Sequence, residues 1–119
     1  MATYSKIVFS GSTDGRAIKI AATSTPGTTI HTASAISTTY DEIWIQASNS
    51  DTAPHKITIE WGGTTSPDDT IEVTIPAESG LVPVINGNVI KGNATPLVVK
   101  AFCDTTNLVT IHGFVNRIA

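Results

Sequence analysis

Charge is the scarcest ingredient of this 119-residue chain. Asp, Glu, Lys and Arg make up 14% of it, against roughly 25% in an average soluble protein. A monomer normally stays soluble through interspersed charges of both signs. This surface is therefore either hydroxyl-rich in its own right or largely covered by partners, and the depletion of charge at interface cores favours the second. The few cations (Lys6, Arg16, Lys19, Lys56, Lys91, Lys100, Arg117) are scattered and the net charge is −3. Nucleic-acid binding, which wants a basic patch, is excluded as a partner class. Cys103 is the single cysteine, so no intrachain disulfide forms, and its place after Phe102 in an apolar strand is that of a small hydrophobe. No apolar run approaches the roughly 20 residues that span a bilayer, so no membrane partner is expected. The residues after Met1 carry no basic region followed by an apolar one, and synthesis in a cytoplasm is the expectation.

Also lacking is any helix-length apolar period. What is there instead is alternation. Ile43, Ile45 and Ala47 alternate with Trp44 and Gln46; Ile57, Ile59 and Trp61 with Thr58 and Glu60; Ile71, Val73 and Ile75 with Glu72 and Thr74. Val99, Ala101 and Cys103 share one parity, as do Val109, Ile111, Gly113 and Val115. Period two buries one face and presents the other. Strands of this kind every 8–12 residues or so, with turns between, predict an all-β, single-domain antiparallel sandwich, jelly-roll-like, of about eight strands. The expected core is Ile43, Ile45, Ile57, Ile59, Ile71, Val73, Val99, Ala101, Val109 and Ile111. Pro83 pushes its strand to an edge or a bulge, because proline cannot donate to the ladder, and Asn86-Gly87-Asn88 reads as a hairpin turn.

The first 25 residues differ in composition. Lys6–Ser10 and Arg16–Ala22 are strand-like around the turn formers Gly11–Gly15, and Pro26-Gly27 is a breaker. The division expected is residues 1–25 as an N-terminal arm or hairpin and 26–119 as the sandwich domain. As an arm it adds a strand to a neighbour, with Ile7, Phe9, Ile18 and Ile20 filling pockets on alternate sides. As an ordinary first hairpin it belongs to the same sandwich.

Each chemical template fails on the residues, and no catalytic, cofactor or metal site is expected. Gly11-Ser12-Thr13-Asp14-Gly15 has its serine in the wrong place for a nucleophile elbow. His31, His55 and His112 stand on separate strands and read as surface or strand-packing side chains rather than metal ligands. Asp68, Asp69 and Glu72 lack the ordered alternation of a calcium loop and read as a turn and a solvated strand face. Asn93-Ala94-Thr95 matches a glycosylation acceptor, which matters only on a secretory route. Trp44 has the outward parity of its strand and is an interface anchor, a member of the opposing sheet's core or a ligand platform. Trp61 shares the inward parity of Ile57 and Ile59.

The order of segments from Thr28 onward resembles a small β-sandwich of tailed-phage virion proteins. The pieces are Ile30-His31-Thr32-Ala33, Asp41 to Asn49, Ile57 to Gly63, Val73-Thr74-Ile75-Pro76-Ala77-Glu78-Ser79-Gly80, Pro96 to Phe102 and Val109 to Val115. One departure is Asn93-Ala94-Thr95, where a glycine-aspartate pair is expected. The resemblance implies a non-enzymatic virion component made in the host bacterial cytoplasm. The first expectation is a capsid decoration or cement protein, typically a homotrimer bound to the major capsid protein. The alternatives are a neck or tail accessory and a carbohydrate-binding or host-recognition module of a head or tail fibre.

Overall fold

The computed structural model describes residues 2–119. It holds nine strands in two antiparallel sheets packed face to face: β1 (Tyr4–Ile7), β2 (Ile18–Lys19), β3 (Thr28–Thr32), β4 (Tyr40–Asn49), β5 (His55–Trp61), β6 (Thr70–Ile75), β7 (Val82–Lys91), β8 (Val98–Cys103) and β9 (Val109–Ile118). Sheet A runs β1-β9-β4-β7, with β2 also on β9, and sheet B runs β3-β8-β5-β6. No helix occurs among the described residues. The sandwich is elongated, 48 × 27 × 21 Å.

Parity decides the core. The odd-numbered side chains of β4 and β9 point inward, so Ile43, Ile45, Ala47, Val109, Ile111 and Val115 meet Ile57, Ile59, Val99, Ala101 and Cys103 of sheet B, all of them buried. Two expected core members differ. Burial on β6 falls along the strand from Ile75 at 0% exposure, through half-buried Val73, to Ile71 at 36%. β6 is an edge strand with a neighbour on one side only, and its far end is less covered than the central strands.

The N-terminal reading needs correcting twice. Residues 4–7 and 18–19 do not form a hairpin with each other. Both pair antiparallel with β9, Tyr4 opposite Ile118 and Ile18 opposite Ile111, so they are two pieces of one interrupted edge strand. Between them the chain leaves sheet A and reaches the edge of sheet B, where the Gly11 amide donates to the Ile30 carbonyl (2.9 Å) and the Thr32 amide to Ser10 Oγ (2.7 Å). Phe9, Ile18 and Ile20 are 2%, 7% and 0% exposed, and Ile7 is half-buried against the same core. In this chain they are therefore not available to fill a neighbour's pockets. Burial of large apolar side chains in the chain's own core removes them from water without a partner. Residues 2–25 accordingly belong to the sandwich; Met1, counted with the arm, lies outside the described residues.

Asn86-Gly87-Asn88 is likewise not a hairpin. It lies inside β7, where the register on β4 jumps from Ile43 opposite Asn88 to Trp44 opposite Asn86. Gly87, at φ +82°, is the extra residue of a bulge. Pro83 does stand on an edge strand, as its missing amide requires. Gly113 (φ +140°) sits where a Cβ would collide with the Trp44 carbonyl oxygen and touch the Phe9 ring, so only glycine lets β4 and β9 close over Phe9.

Emptying the Ile59 site by Ile59→Ala should lower stability by about 2–5 kcal/mol, read as a fall in the denaturant midpoint; an unchanged midpoint would contradict the packing. Gly113→Ala should prevent or severely weaken folding, visible as loss of soluble protein or of a cooperative transition.

Candidate functional site

The register of sheet A lays out its outer face row by row. One row holds Tyr4, Ile118, Tyr40 and Lys91; the next holds Lys6, Asn116, Glu42 and Val89. The third holds Phe114, Trp44 and Asn86, and the fourth His112, Gln46 and Pro83. Four of the chain's seven aromatic residues (Tyr4, Tyr40, Trp44, Phe114) thus stand on one face. Trp44 takes the outward position of its parity, so the reading as a member of the opposing sheet's core is removed. Its ring lies nearly parallel to that of Phe114, with centroids 6.1 Å apart and planes at 14°. Lys6 Nζ lies 4.8 Å from the Phe114 centroid, within reach of a cation–π contact. Trp44 Nε1 donates to Glu42 Oε1 (2.8 Å), which also accepts from Asn116 Nδ2 (3.0 Å). These bonds, from Asn116 first and then Trp44, hold the Glu42 carboxyl below its ordinary range.

A second exposed surface lies at the end of the sandwich where β4 begins. Residues 33–40 and 92–98 carry no charged side chain, and the two loops are tied by the Gly92 amide to the Thr39 carbonyl (2.7 Å) and the Asn93 amide to Ser34 (3.0 Å). On them Ile36 is 62% exposed, and Tyr40 and Leu97 are also open to solvent. Beside Leu97 the surface dips into a shallow hollow whose lining includes Gly62, Gly63 and Lys100.

The buried polar groups are fully engaged. His31 (β3) and Asp41 (β4) bridge the two sheets, Nε2 to Oδ2 at 2.8 Å, and Arg117 (β9) binds both Asp41 oxygens, Nε at 2.7 Å and Nη2 at 2.8 Å. The Ser10 amide donates to His31 Nδ1 (3.1 Å). A nitrogen that accepts carries no proton, so His31 is neutral and its Nε2–H donates to Asp41. Burial lowers its pKa, and the neighbouring Arg117 charge adds to that, against the opposing pull of Asp41. Burial acts to raise the Asp41 pKa, but the bonds from Arg117 and His31 outweigh it and the net direction is down. Ser10, His31 and Asp41 match a hydrolytic triad in residue type only. Ser10 Oγ accepts from the Thr32 amide, both ring nitrogens are occupied, and His31 is 2% exposed.

His55 is the opposite case. Its Nε2 meets Asp51 Oδ2 at 2.6 Å and its Nδ1 meets Asp104 Oδ1 at 2.7 Å. A carboxylate on each nitrogen requires a proton on each, so the ring is an imidazolium clamping the β4–β5 turn to the β8–β9 turn. The Asp51 bond foremost raises its pKa. Asn49, fully buried, anchors the first turn by donating to the carbonyls of Ala53 (2.9 Å) and Ile75 (3.2 Å). His112 stays on the outer face beside Thr110. Of the five interface candidates, Trp44 alone stands on an outward face; Phe9, Ile18 and Ile20 are core and Ile7 is half-buried against it. The sequence reading missed Asp41 and Arg117. Their signal was parity: each shares the inward parity of its strand, and a charge on a buried face demands a partner.

No protein-family model matches the chain, and no curated protein and no solved structure matches it either.

The two histidines give pH dependence of opposite sign. His31, with its pKa depressed, contributes stability above the ordinary histidine value that is lost as pH falls below it, because the unfolded ring takes up a proton that the native one resists. Asp41 loses its contribution further into acid. His55, with its pKa raised, contributes fully below the ordinary value and loses that contribution as pH rises through the raised one. His55→Asn should therefore lower the urea midpoint clearly at pH 6 and much less at pH 9. Asp41→Asn should cost about 3 kcal/mol at neutral pH, the low end for breaking a buried pair because Arg117 is 32% exposed, and should flatten the acid limb of the stability profile.

Proposed function

We propose that the chain is a non-enzymatic assembly protein that self-associates, as a homotrimer, and docks against a larger shell. The observation that carries this reading is the pair of neighbouring loops 33–39 and 92–97, which hold no charged residue and from which Ile36 and Leu97 stand exposed. Such an apolar rim is what a closed symmetric contact covers, without the runaway growth of an open one. The far end of β4 leads instead to the charged clamp of Asp51, His55 and Asp104. The resemblance of the segment order to tailed-phage virion sandwiches supports a capsid shell and its major capsid protein as the partner, with the chain as a decoration or cement protein located in the virion. A neck or tail position is the variant of the same reading. Docking of the trimer across shell subunits adds contact area between neighbours, which is the physical role of a cement.

Sedimentation equilibrium at high micromolar concentration should return three times the 12.4 kDa chain mass. Leu97→Asp combined with Ile36→Asp should return the chain mass with an unchanged circular dichroism spectrum. A wild-type chain that sediments at 12.4 kDa contradicts the self-association. Quantitative mass spectrometry of virions from the encoding phage separates the positions: hundreds of copies per particle mean the capsid surface, and about a dozen or fewer mean neck or tail.

A further inference from the structure

Trp44 is held more firmly than an exposed tryptophan needs to be. Its indole N–H is satisfied by Glu42 at 2.8 Å, and Phe114 lies nearly parallel beside it. Its benzo edge occupies the place of the missing Gly87 side chain, Cζ2 falling 2.8 Å from where a Cβ would stand. The β7 bulge, with Gly87 in the left-handed region at φ +82°, is thus the seat on which the ring rests. Three elements (β4, β7 and β9) fix the ring, its polar edge is already bonded, and 36% of the residue stays open to solvent.

What surrounds it decides the kind of ligand. The outward neighbours are mostly polar, with Glu42, Gln46, Asn86, His112 and Asn116 supplying carboxylate, amide and imidazole groups and Val89 and Pro83 at the β7 edge the aliphatic ones. A protein contact of this size has an apolar core that excludes water, and these residues do not supply one. A sugar ring has the matching chemistry. The C–H bonds on the face of a pyranose carry partial positive charge and suit the negative face of an aromatic ring. Its equatorial hydroxyls exchange water for amide and carboxylate partners. Side chains already fixed in place lose little entropy when the ligand arrives. Tyr40 stands four residues before Trp44 on the same face of β4, about 13 Å away at strand rise, so the face fits a chain of several sugars rather than one. Glu42 at its centre disfavours an acidic sugar.

The geometry points to the outer face of sheet A as a platform for a neutral hexopyranose polysaccharide, stacked on Trp44 and hydrogen-bonded by the surrounding amides. The platform lies on the sheet face rather than on the loops that carry Ile36 and Leu97, and does not rest on the assembly reading.

Native gel electrophoresis of the full chain, in gels cast with hydroxyethyl cellulose, pullulan, galactomannan or dextran, tests it. The acidic chain (pI 5.4) migrates toward the anode at pH 8 without help. At least one polysaccharide should retard it, and Trp44→Ala should weaken the retardation at least tenfold in apparent Kd. Should Trp44→Ala fail to fold by circular dichroism, the Gln46→Ala/Asn86→Ala double variant, which leaves the aromatic seat in place, should weaken it at least threefold. Migration unaffected by all four polysaccharides overturns the proposal. So does retardation that neither variant changes. Dissociation of an oligomer by Trp44→Ala, in a chain whose wild type ignores every polysaccharide, assigns the face to a protein contact instead.

Discussion

The whole molecule hangs on the pairing of β4 with β9. Ten residues face ten without a slip, from Tyr40 opposite Ile118 to Asn49 opposite Val109. That one register places Ile43 beside Val115 and Ala47 beside Ile111 on the inner face, and Glu42 beside Asn116 and Trp44 beside Phe114 on the outer one. A shift of one residue would turn every one of these side chains to the wrong face. β1 and β2 then attach to the free edge of β9, and β7 to the free edge of β4. Gly113, in the middle of the pair, is what allows the two backbones to close over Phe9.

The same register sets the electrostatics of the interior. Asp41 and Arg117 are directly opposite each other at the inner edge of the pair, and His31 reaches the same carboxylate from the other sheet. A buried ion pair is weak evidence for net stability, since desolvation opposes the Coulomb gain. Its clearer effect is positional: only one stacking of the sheets satisfies Asp41 from both sides. The His55 clamp does comparable work at the other end, but on the surface, where two turns are joined by a charged ring. One histidine is useful because it stays neutral and the other because it does not. The difference follows from what each ring nitrogen faces.

Function, on this reading, is divided between an end and a face. The uncharged loops at the start of β4 give an apolar rim suited to protein contact, and the outer face of sheet A gives an aromatic platform ringed by hydrogen-bonding groups. Neither needs a moving part. Both are presented by rigid elements, and the bulge at Gly87 serves the second by making room for Trp44.

Much of this was legible in the chain itself. Alternation in residues 43–47, 57–61, 99–103 and 109–115 announced the two-faced strands and most of the core, because a period of two leaves a side chain only two directions. Pro83 announced an edge by its missing amide. What alternation does not carry is pairing. Lys6–Ser10 and Arg16–Ala22 have the local chemistry of a hairpin, yet each hydrogen-bonds to β9, more than ninety residues away in the case of Ile18 and Ile111. Asn86-Gly87 has the chemistry of a turn, yet it is a bulge because β4 continues alongside it. Ile71 has core parity but stands on the less covered end of an edge strand. Local sequence determined which residues are strand and which side each faces; long-range pairing decided which strands are neighbours, which charges meet and which aromatics share a surface. The physical reason is that dihedral preference and side-chain parity act within a few residues, whereas a backbone hydrogen bond is indifferent to how far along the chain its partner lies.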